Sequence, residues 1–446
     1  MAKSRFVYVC QACGASSPKW LGRCPACQTW DSLAEEAATP APSLPAGPAP
    51  APLALSEARG RQEPRTQSGL GELDRVLGGG LVPGMVVLVG GEPGIGKSTL
   101  MLQLAASLSC AGLKVLYVAA EESARQVGLR AERLGLGHSQ VALLNDTGVE
   151  TICQAWRQGG FAAVVVDSIQ AVRSLELPSQ AGSLGQVRQS AGQLAAIAKE
   201  TGTALFLVGH VTKEGALAGP RVLEHLVDTV LYFESELASS LRLLRAVKNR
   251  FGATDEVGVF EMGEQGLKPV ANPSALFLAQ RPAEAPGSAV CAAMSGTRPL
   301  LVEVQALVSP SGLAMPRRQA LGVDAGRLHM LTAVLAIHAG LDLSGHDVFI
   351  NVAGGIKLSE PAADLAMAVA VASSYHARAV PAQVVCFGEV GLAGELRAVS
   401  RVPARLAEAG RQGFTRALTA PGKLDKPAEI EVMGAGRLAQ ALAMLW

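Results

Sequence analysis

The octapeptide Gly91-Glu92-Pro93-Gly94-Ile95-Gly96-Lys97-Ser98, followed by Thr99, matches the phosphate-binding pattern G-x-x-x-x-G-K-[ST]. An apolar, strand-like run at residues 85–89 precedes it, and a helical pattern at residues 99–109 follows it. Glycines let backbone N–H groups surround a phosphate, and a helix N-terminus favours negative charge. The alternative is a glycine-rich turn between a strand and a helix. The stretch predicts that residues 91–99 bind ATP, with Lys97 on the β- and γ-phosphates and Ser98 on Mg²⁺.

Composition sets broad limits on the rest of the chain. Its 446 residues, 49% hydrophobic and 17% charged, predict two or three globular domains with ample core. The formal net charge of +1 gives no overall argument for nucleic acid, so any basic patch must be local. No apolar run approaches the ~18 residues that a membrane span needs, and residues 1–10 lack the apolar region of a signal peptide. We therefore expect a cytoplasmic protein whose eight cysteines form no disulfides.

Four of these cysteines, Cys10, Cys13, Cys24 and Cys27, form two C-x-x-C pairs within a predicted module at residues 1–34. Two such turns supply four thiolates, which suit a tetrahedral structural Zn²⁺ site and leave no open position for catalysis. A redox pair and two disulfides are the alternatives. Residues 35–55 are rich in alanine and proline and predict an extended tether.

Residues 56–270 alternate strand-like runs with helical patterns, which predicts a largely parallel, doubly wound sheet. We expect its strands at residues 85–89, 114–119, 162–167, 203–209, 229–234 and 241–248. Asp167 ends an apolar strand about 70 residues after the phosphate loop, and is the candidate second ligand of Mg²⁺. Hydrolysis also needs a group that activates water. Glu121 is the candidate catalytic carboxylate and Glu122 its rival, although a glutamate there also suits a helix start.

Residues 275–446 alternate strands and helices again, with strands expected at 300–308 and 347–352 and helices at 327–339 and 363–373. From the residues alone, this segment predicts an α+β domain without a visible catalytic constellation.

Several motifs occur together and in order along the chain. Besides the cysteine pairs and the phosphate loop, they are Tyr117-Val-Ala-Ala-Glu-Glu-Ser123, Val165-Val-Asp-Ser-Ile-Gln170, His210-Val-Thr-Lys-Glu-Gly215 and Lys248-Asn-Arg-Phe-Gly252. In this combination the whole chain resembles the RadA (Sms) family of bacterial DNA repair proteins. Ala119-Ala120 departs from the Ser or Thr followed by Gly that the family pattern leads us to expect.

The resemblance implies an α/β fold: a RecA-like P-loop ATPase core, the zinc module and an α+β domain similar to the proteolytic domain of Lon. It implies a hexameric ring motor that processes branched recombination intermediates together with the RecA recombinase. Single-stranded and branched DNA would then be its partners, with Arg188, Lys213 and Arg221 as candidate DNA contacts. Lys248 and Arg250 would reach the ATP of a neighbouring subunit or the γ-phosphate of their own. An ATP-gated clamp that regulates RecA without translocation is the alternative, and an ATP-dependent protease is a remote third.

The resemblance to Lon also suggests that the C-terminal domain has no peptidase activity. Ala362 stands at the position of the nucleophilic serine, and Pro403 lies near the position of its lysine partner. Ser359 and Lys357 are nearby but wrongly spaced. We instead expect an oligomerisation platform with a DNA-binding surface, for which the candidate phosphate contacts are Arg317, Arg318, Lys357 and Arg397.

Overall fold

The computed structural model describes residues 6–10, 16–25, 28–37, 65–209, 223–235, 240–254, 256–282, 284–422 and 430–446. The chain divides into two compact units. The first comprises Met1–Ser235 and Ser240–Pro269, and the second comprises Glu236–Ser239 and Val270–Trp446. Within the described ranges, no helix is long and apolar enough to cross a membrane.

A small antiparallel sheet opens the first unit. Its strands are β1 (Phe6–Cys10), β2 (Ser16–Ser17) and β3 (Leu33–Ala37), in the order β2-β1-β3. All five residues of β3 pair with β1. Strand β3 therefore extends to residue 37, three residues beyond the predicted end of the module at residue 34. Residues 38–55 of the predicted tether lie outside the described ranges.

A nine-stranded sheet forms the body of the first unit. Its elements are α1 (Gly71–Leu77), β4 (Val86–Gly91), α2 (Lys97–Cys110), β5 (Val115–Ala119), α3 (Ala124–Arg133), β6 (Ala142–Leu144), α4 (Val149–Gly159), β7 (Ala163–Asp167), α5 (Leu184–Thr201), β8 (Ala204–Val208), β9 (Thr229–Ser235), β10 (Leu241–Asn249), β11 (Val257–Gly263) and β12 (Gly266–Pro269). The strand order is β12-β11-β10-β9-β4-β8-β7-β5-β6.

The six strands from β9 to β6 in this order run parallel, whereas β10, β11 and β12 are antiparallel. Apolar side chains of α1, α2 and α3 cover one face of the sheet, and those of α4 and α5 cover the other. All six predicted strands are confirmed to within two residues at each end. Four of them, β4, β5, β7 and β8, are buried on both faces and therefore read as unbroken apolar runs. Strand β6 was missed because it is a three-residue edge strand that is half exposed.

The second unit is an α+β structure, as predicted. Its elements are α6 (Pro273–Leu278), β13 (Ser288–Ser295), β14 (Arg298–Pro310), β15 (Arg318–Leu321), α7 (Ala325–Ala339), β16 (His346–Val352), a 3₁₀ helix (Ala353–Gly355), α8 (Ala363–Tyr375), β17 (Val384–Cys386), β18 (Glu389–Val390), β19 (Leu396–Arg397), α9 (Val402–Arg411), β20 (Arg416–Thr419), β21 (Glu431–Gly434) and α10 (Leu438–Ala443). Seven strands form one mixed sheet in the order β15-β16-β14-β13-β17-β20-β21. Helix α8 packs on β13 and β14, and its alanine-rich surface is buried on nearly every side.

Candidate nucleotide-binding site

The phosphate loop connects β4, a central strand of the nine-stranded sheet, to the start of α2. Gly91 has φ +152°, and a Cβ there would lie 2.6 Å from the carbonyl oxygen of Phe233 on the paired strand β9. Gly96 has φ +113°, in the left-handed region that side chains disfavour. The glycines are therefore required by close packing and by backbone conformation. The loop ends at a helix N-terminus, where backbone N–H groups are available to an anion.

Lys97, the first residue of α2, is only 4% exposed. Its Nζ atom donates hydrogen bonds of 2.8 Å to the carbonyl oxygens of Gly91 and Glu92. Burial lowers the pKa of the amine, and the nearby carboxylates of Asp167 and Glu121 oppose this shift. Lys97, Asp167 and Glu121 are therefore close enough to interact electrostatically.

Asp167 ends β7 at the same edge of the sheet and is buried. The Tyr117 hydroxyl donates a 2.6 Å hydrogen bond to Asp167 Oδ2, and the Ser98 side chain also hydrogen-bonds this carboxylate. Burial raises the pKa of Asp167, and the two hydrogen bonds counteract that rise. Hydroxyl and carboxylate oxygens are the ligands that Mg²⁺ prefers, so Ser98 and Asp167 fit a magnesium site beside the phosphate loop.

Glu121 and Glu122 follow β5 but have different surroundings. The β5–β7 register pairs Ala119 with Asp167. Glu121 accepts a hydrogen bond from the buried Ser168 hydroxyl. Glu122 instead forms an ion pair with Arg130, with 2.5 Å between Glu122 Oε1 and Arg130 Nη2. Glu121 is thus the carboxylate that is coupled to Lys97 and Asp167, whereas Glu122 is tied to α3.

The Lys248-Asn249-Arg250-Phe251-Gly252 motif lies at the other end of the sheet. Strand β10 runs antiparallel to β9, so Asn249 pairs with Thr229, which in turn pairs with Val87 near the start of β4. The phosphate loop begins four residues further along β4, roughly 13 Å away. The basic pair is therefore separated from the phosphate loop of its own chain by most of the length of β4.

Two of the four candidate zinc ligands fall within the described residues. Cys10 and Cys24 are fully buried and share one small cluster with Leu33. Two buried thiols in one small cluster fit half of a four-thiolate zinc site. Cys13 and Cys27 lie outside the described residues, and within those residues no three His, Cys, Asp or Glu side chains gather in a way that could hold a metal.

Three family models match parts of the chain. An AAA domain matches residues 62–216, a rubredoxin metal binding domain matches residues 8–35, and the subunit ChlI of Mg-chelatase matches residues 328–423. Two solved structures match in part: the ATPase domain of G40P (16% identity, TM-score 0.40, 46% of this chain and 90% of that chain) and the KaiC-like protein PH0186 from Pyrococcus horikoshii (21%, 0.39, 46% and 99%). At these identities and TM-scores, the two structural similarities give no information about function.

Full-length relatives decide the family. The chain is 49% identical to DNA repair protein RadA of Bacillus subtilis, over 99% of both chains. It is 51% identical to DNA repair protein RadA of Pseudomonas aeruginosa over 100% of both, and 48% identical to that of Brucella abortus over 100% of this chain and 98% of the relative. The chain belongs to the RadA family of DNA repair proteins. As a RadA-family member with an AAA domain and a metal-binding domain, it takes ATP, Mg²⁺ and Zn²⁺ as cofactors.

The second unit of this RadA-family chain carries an ion pair, with a fully buried arginine, close in sequence to Ala362 and Pro403. Ala362 is buried just before α8, and Pro403 lies in the first turn of α9. The Glu360 carboxylate accepts two hydrogen bonds from Arg405, at 2.8 and 2.6 Å. The Arg405 side chain is 0% exposed and also bonds the Ala292 carbonyl oxygen. A structural ion pair therefore occupies this part of the fold.

The candidate DNA contacts differ in how accessible they are. Arg188 is exposed in the second turn of α5, whereas Lys213, Arg221 and the motif at residues 210–215 lie outside the described residues. In the second unit, Arg317 and Lys357 are exposed. Arg318 is half-buried and donates to carbonyl oxygens of its own unit, and Arg397 forms ion pairs with Glu389 and Glu395. Arg318 and Arg397 are thus poor candidates for phosphate contacts.

Sequence reasoning missed two residues that hold the site carboxylates, Tyr117 and Ser168, and it also missed Asp228, at the opposite end of the sheet. Tyr117 and Ser168 each donate to a site carboxylate, and Asp228 binds Arg250. Tyr117 and Ser168 stood inside the quoted motifs, but only the tertiary contacts reveal their partners.

Proposed function

We propose that this chain is a DNA-dependent ATPase that assembles into a ring and processes or migrates branched recombination intermediates with the RecA recombinase. One observation carries the proposal. The ATP-binding residues gather at one end of the sheet, whereas the Lys248 and Arg250 pair lies at the other end. A cation pair this far from its own phosphate loop can take part in catalysis if it contacts the nucleotide bound to a neighbouring copy. A closed ring brings each copy next to the nucleotide site of the next one.

Each residue of the site has a role in this proposal. ATP with Mg²⁺ supplies the transferable phosphoryl group and neutralises its charge. Lys97 leaves the carbonyl oxygens of Gly91 and Glu92 to bind the phosphates, while Ser98 and Asp167 hold the metal. Glu121 orients and activates the attacking water, since it faces Lys97 and Asp167 and is held by Ser168. The Glu122–Arg130 ion pair argues against Glu122 in this role.

Lys248 and Arg250 act in trans. Lys248 Nζ donates to the carbonyl oxygens of Glu224 and Val227, at 2.6 and 2.9 Å, so it braces the segment that leads into β9. The Arg250 side chain is 56% exposed and remains accessible to a neighbour. Arg250 is therefore the better candidate for an arginine finger, and Lys248 for its support.

The rest of the chain completes this proposal. We propose a zinc module at residues 1–34, a tether at 35–55, the ATPase at 56–270 and a Lon-like domain without protease activity at 275–446. Arg188, Lys213 and Arg221 would contact the DNA backbone, so binding would weaken with salt and would not depend on sequence. Ala362→Ser is expected to leave the chain without peptidase activity on casein, because Arg405 is engaged with Glu360 and position 403 is a proline. Casein cleavage by this variant would contradict that expectation.

The test is steady-state ATP hydrolysis with and without single-stranded DNA at several salt concentrations. It compares the wild type with Lys97→Ala and with Lys268→Ala, a control at an exposed lysine on edge strand β12. DNA-stimulated turnover that is lost only in Lys97→Ala supports the ATPase, and migration of a branched junction then supports the motor. ATP-dependent DNA binding without strand displacement or junction movement would favour the alternative, a clamp that regulates RecA. ATP turnover that does not change when DNA is added would contradict the motor.

A further inference from the structure

Tyr117 is a buried tyrosine whose hydroxyl reaches the site. The chain contains only four tyrosines, and this one is 1% exposed in the middle of β5. A phenylalanine would fill the same apolar space, so packing alone does not account for the hydroxyl. The hydroxyl donates to Asp167 Oδ2 at 2.6 Å, within the range of a strong hydrogen bond to a carboxylate.

The surroundings leave the Tyr117 ring little freedom. The ring belongs to the apolar cluster between the sheet and α2, together with Ala119 and Val165. The parallel register pairs Tyr117 with Val165 and Ala119 with Asp167, so the hydroxyl extends along the strands toward the carboxyl edge. Because the core holds the ring, the Tyr117 hydroxyl is fixed next to Asp167 Oδ2. This hydrogen bond in turn sets the orientation of the Asp167 carboxylate toward Ser98.

We propose that Tyr117 is a positioning residue that holds the Asp167 carboxylate in the orientation that binds Mg²⁺ and so sets the affinity of the chain for magnesium-bound nucleotide. This inference rests on the proposed role of Asp167 as a magnesium ligand. Side chains that hydrogen-bond a metal ligand tune metal affinity because they fix the ligand before the metal arrives.

The second carboxylate of the site has a separate donor. Glu121 is held by the Ser168 hydroxyl, not by Tyr117. The Tyr117 hydroxyl thus holds Asp167, the proposed metal ligand, and the Ser168 hydroxyl holds Glu121, the proposed activator of water. The two functions depend on different hydrogen-bond donors. Loss of the Tyr117 hydroxyl should accordingly change the magnesium requirement more than the rate of hydrolysis at saturating magnesium.

The test is Tyr117→Phe in the full-length protein, with Tyr232→Phe as the matched control. Tyr232 lies on β9 of the same sheet, and its hydroxyl contacts Glu224 rather than Asp167. A fluorescent, non-hydrolysable ATP analogue is titrated at a series of MgCl₂ concentrations. We expect Tyr117→Phe to need about 10-fold more Mg²⁺ for half-maximal binding, with binding in EDTA unchanged. In hydrolysis assays the apparent KM for Mg²⁺ rises while kcat at saturating Mg²⁺ stays within about threefold of the wild type.

A double-mutant cycle with Asp167→Asn supplies the second readout. If Tyr117 acts through Asp167, Tyr117→Phe adds no further magnesium requirement in the Asp167→Asn background. A Tyr117→Phe protein with wild-type magnesium dependence, or one that only melts at a lower temperature, overturns the inference and leaves the ATPase proposal standing. A wild type whose nucleotide binding ignores Mg²⁺ overturns the magnesium site itself.

Discussion

Arg250 Nη1 lies 3.0 Å from Asp228 Oδ1, at the end of the sheet opposite to the phosphate loop of the same chain. The other carboxylate oxygen of Asp228 accepts a hydrogen bond from the backbone N–H of Val86, where β4 begins. Asp228 is buried, whereas the Arg250 side chain is half exposed. One carboxylate therefore links an accessible cation to the strand that carries the phosphate loop at its far end.

This arrangement predicts that Arg250 acts on a neighbouring subunit. Arg250→Ala should lower ATP turnover about 10³-fold or more, as loss of an arginine finger does, while nucleotide binding persists. An equal mixture of Arg250→Ala and Lys97→Ala chains should recover activity. In a random mixed ring, about a quarter of the interfaces combine an intact Lys97 with an intact Arg250 from the next subunit. The measurement is ATP turnover after the two variants are co-assembled.

The matched control is Arg245→Ala, which removes another arginine of β10 whose partner is Glu234. This variant should retain wild-type turnover. If the mixture of the two inactive variants stays inactive although size-exclusion chromatography shows joint assembly, Arg250 does not act in trans.

The two adjacent glutamates predict opposite phenotypes. Glu121→Gln should reduce kcat about 10²–10⁴-fold with little change in nucleotide affinity, because the amide keeps a partner for Ser168 but cannot activate water. Glu122→Gln should keep its turnover and lose at most about 1 kcal/mol of stability, since the ion pair with Arg130 is partly exposed. Steady-state kinetics and thermal unfolding measure both effects. Equal losses of kcat in the two variants would contradict the assignment.

The sequence predicts those features of the structure that depend on residues close together in the chain, and it does not predict those that depend on distant residues meeting in the fold. The parallel strands are local, because burial on both faces leaves an apolar run such as the valines of β7. Asp167 and Glu121 are also predictable, since polar residues at the carboxyl ends of such strands meet at one edge. The hydrogen bond between Asp167 and Tyr117 is not predictable from the sequence, because the two residues lie 50 positions apart and only the strand register brings them together. The position of Arg250 likewise depends on the antiparallel return of β10, which no local pattern encodes.

The Arg405–Glu360 ion pair predicts a large stability effect in the second unit. Arg405→Met removes a fully buried cation and leaves the carboxylate of Glu360 without it, which should cost about 3–5 kcal/mol. Arg411→Met on the same helix is the control. Its side chain is 67% exposed beside Glu408, so it should cost at most about 1 kcal/mol. Hydrogen exchange of the β13 amides, followed by mass spectrometry, reports on this unit. Equal protection in the two variants would show that the buried pair is dispensable.

The cysteines predict a selective pattern of alkylation. Burial raises the pKa of the Cys153 thiol to about 11 and that of Cys386 to about 12, and it also raises the pKa of Cys291. At pH 8 these thiols are almost wholly protonated and buried, so iodoacetamide should modify the exposed Cys110 at least about 100 times faster. Because the folded state holds these protons more tightly than the unfolded chain, their contribution to stability is present below about pH 8.5 and declines as the pH rises toward 11–12.

Removal of zinc should make four more cysteines reactive toward iodoacetamide. If Cys10, Cys13, Cys24 and Cys27 hold Zn²⁺ as thiolates, they stay unmodified at pH 8 while the metal is bound. A chelator should then release one zinc per chain and expose all four together, because the small module depends on the metal for its folding. Cys110 serves as the internal reference, since its rate should not change with the chelator. Mass spectrometry of the alkylated peptides decides the matter: modification of any of the four before chelation would exclude a four-thiolate site.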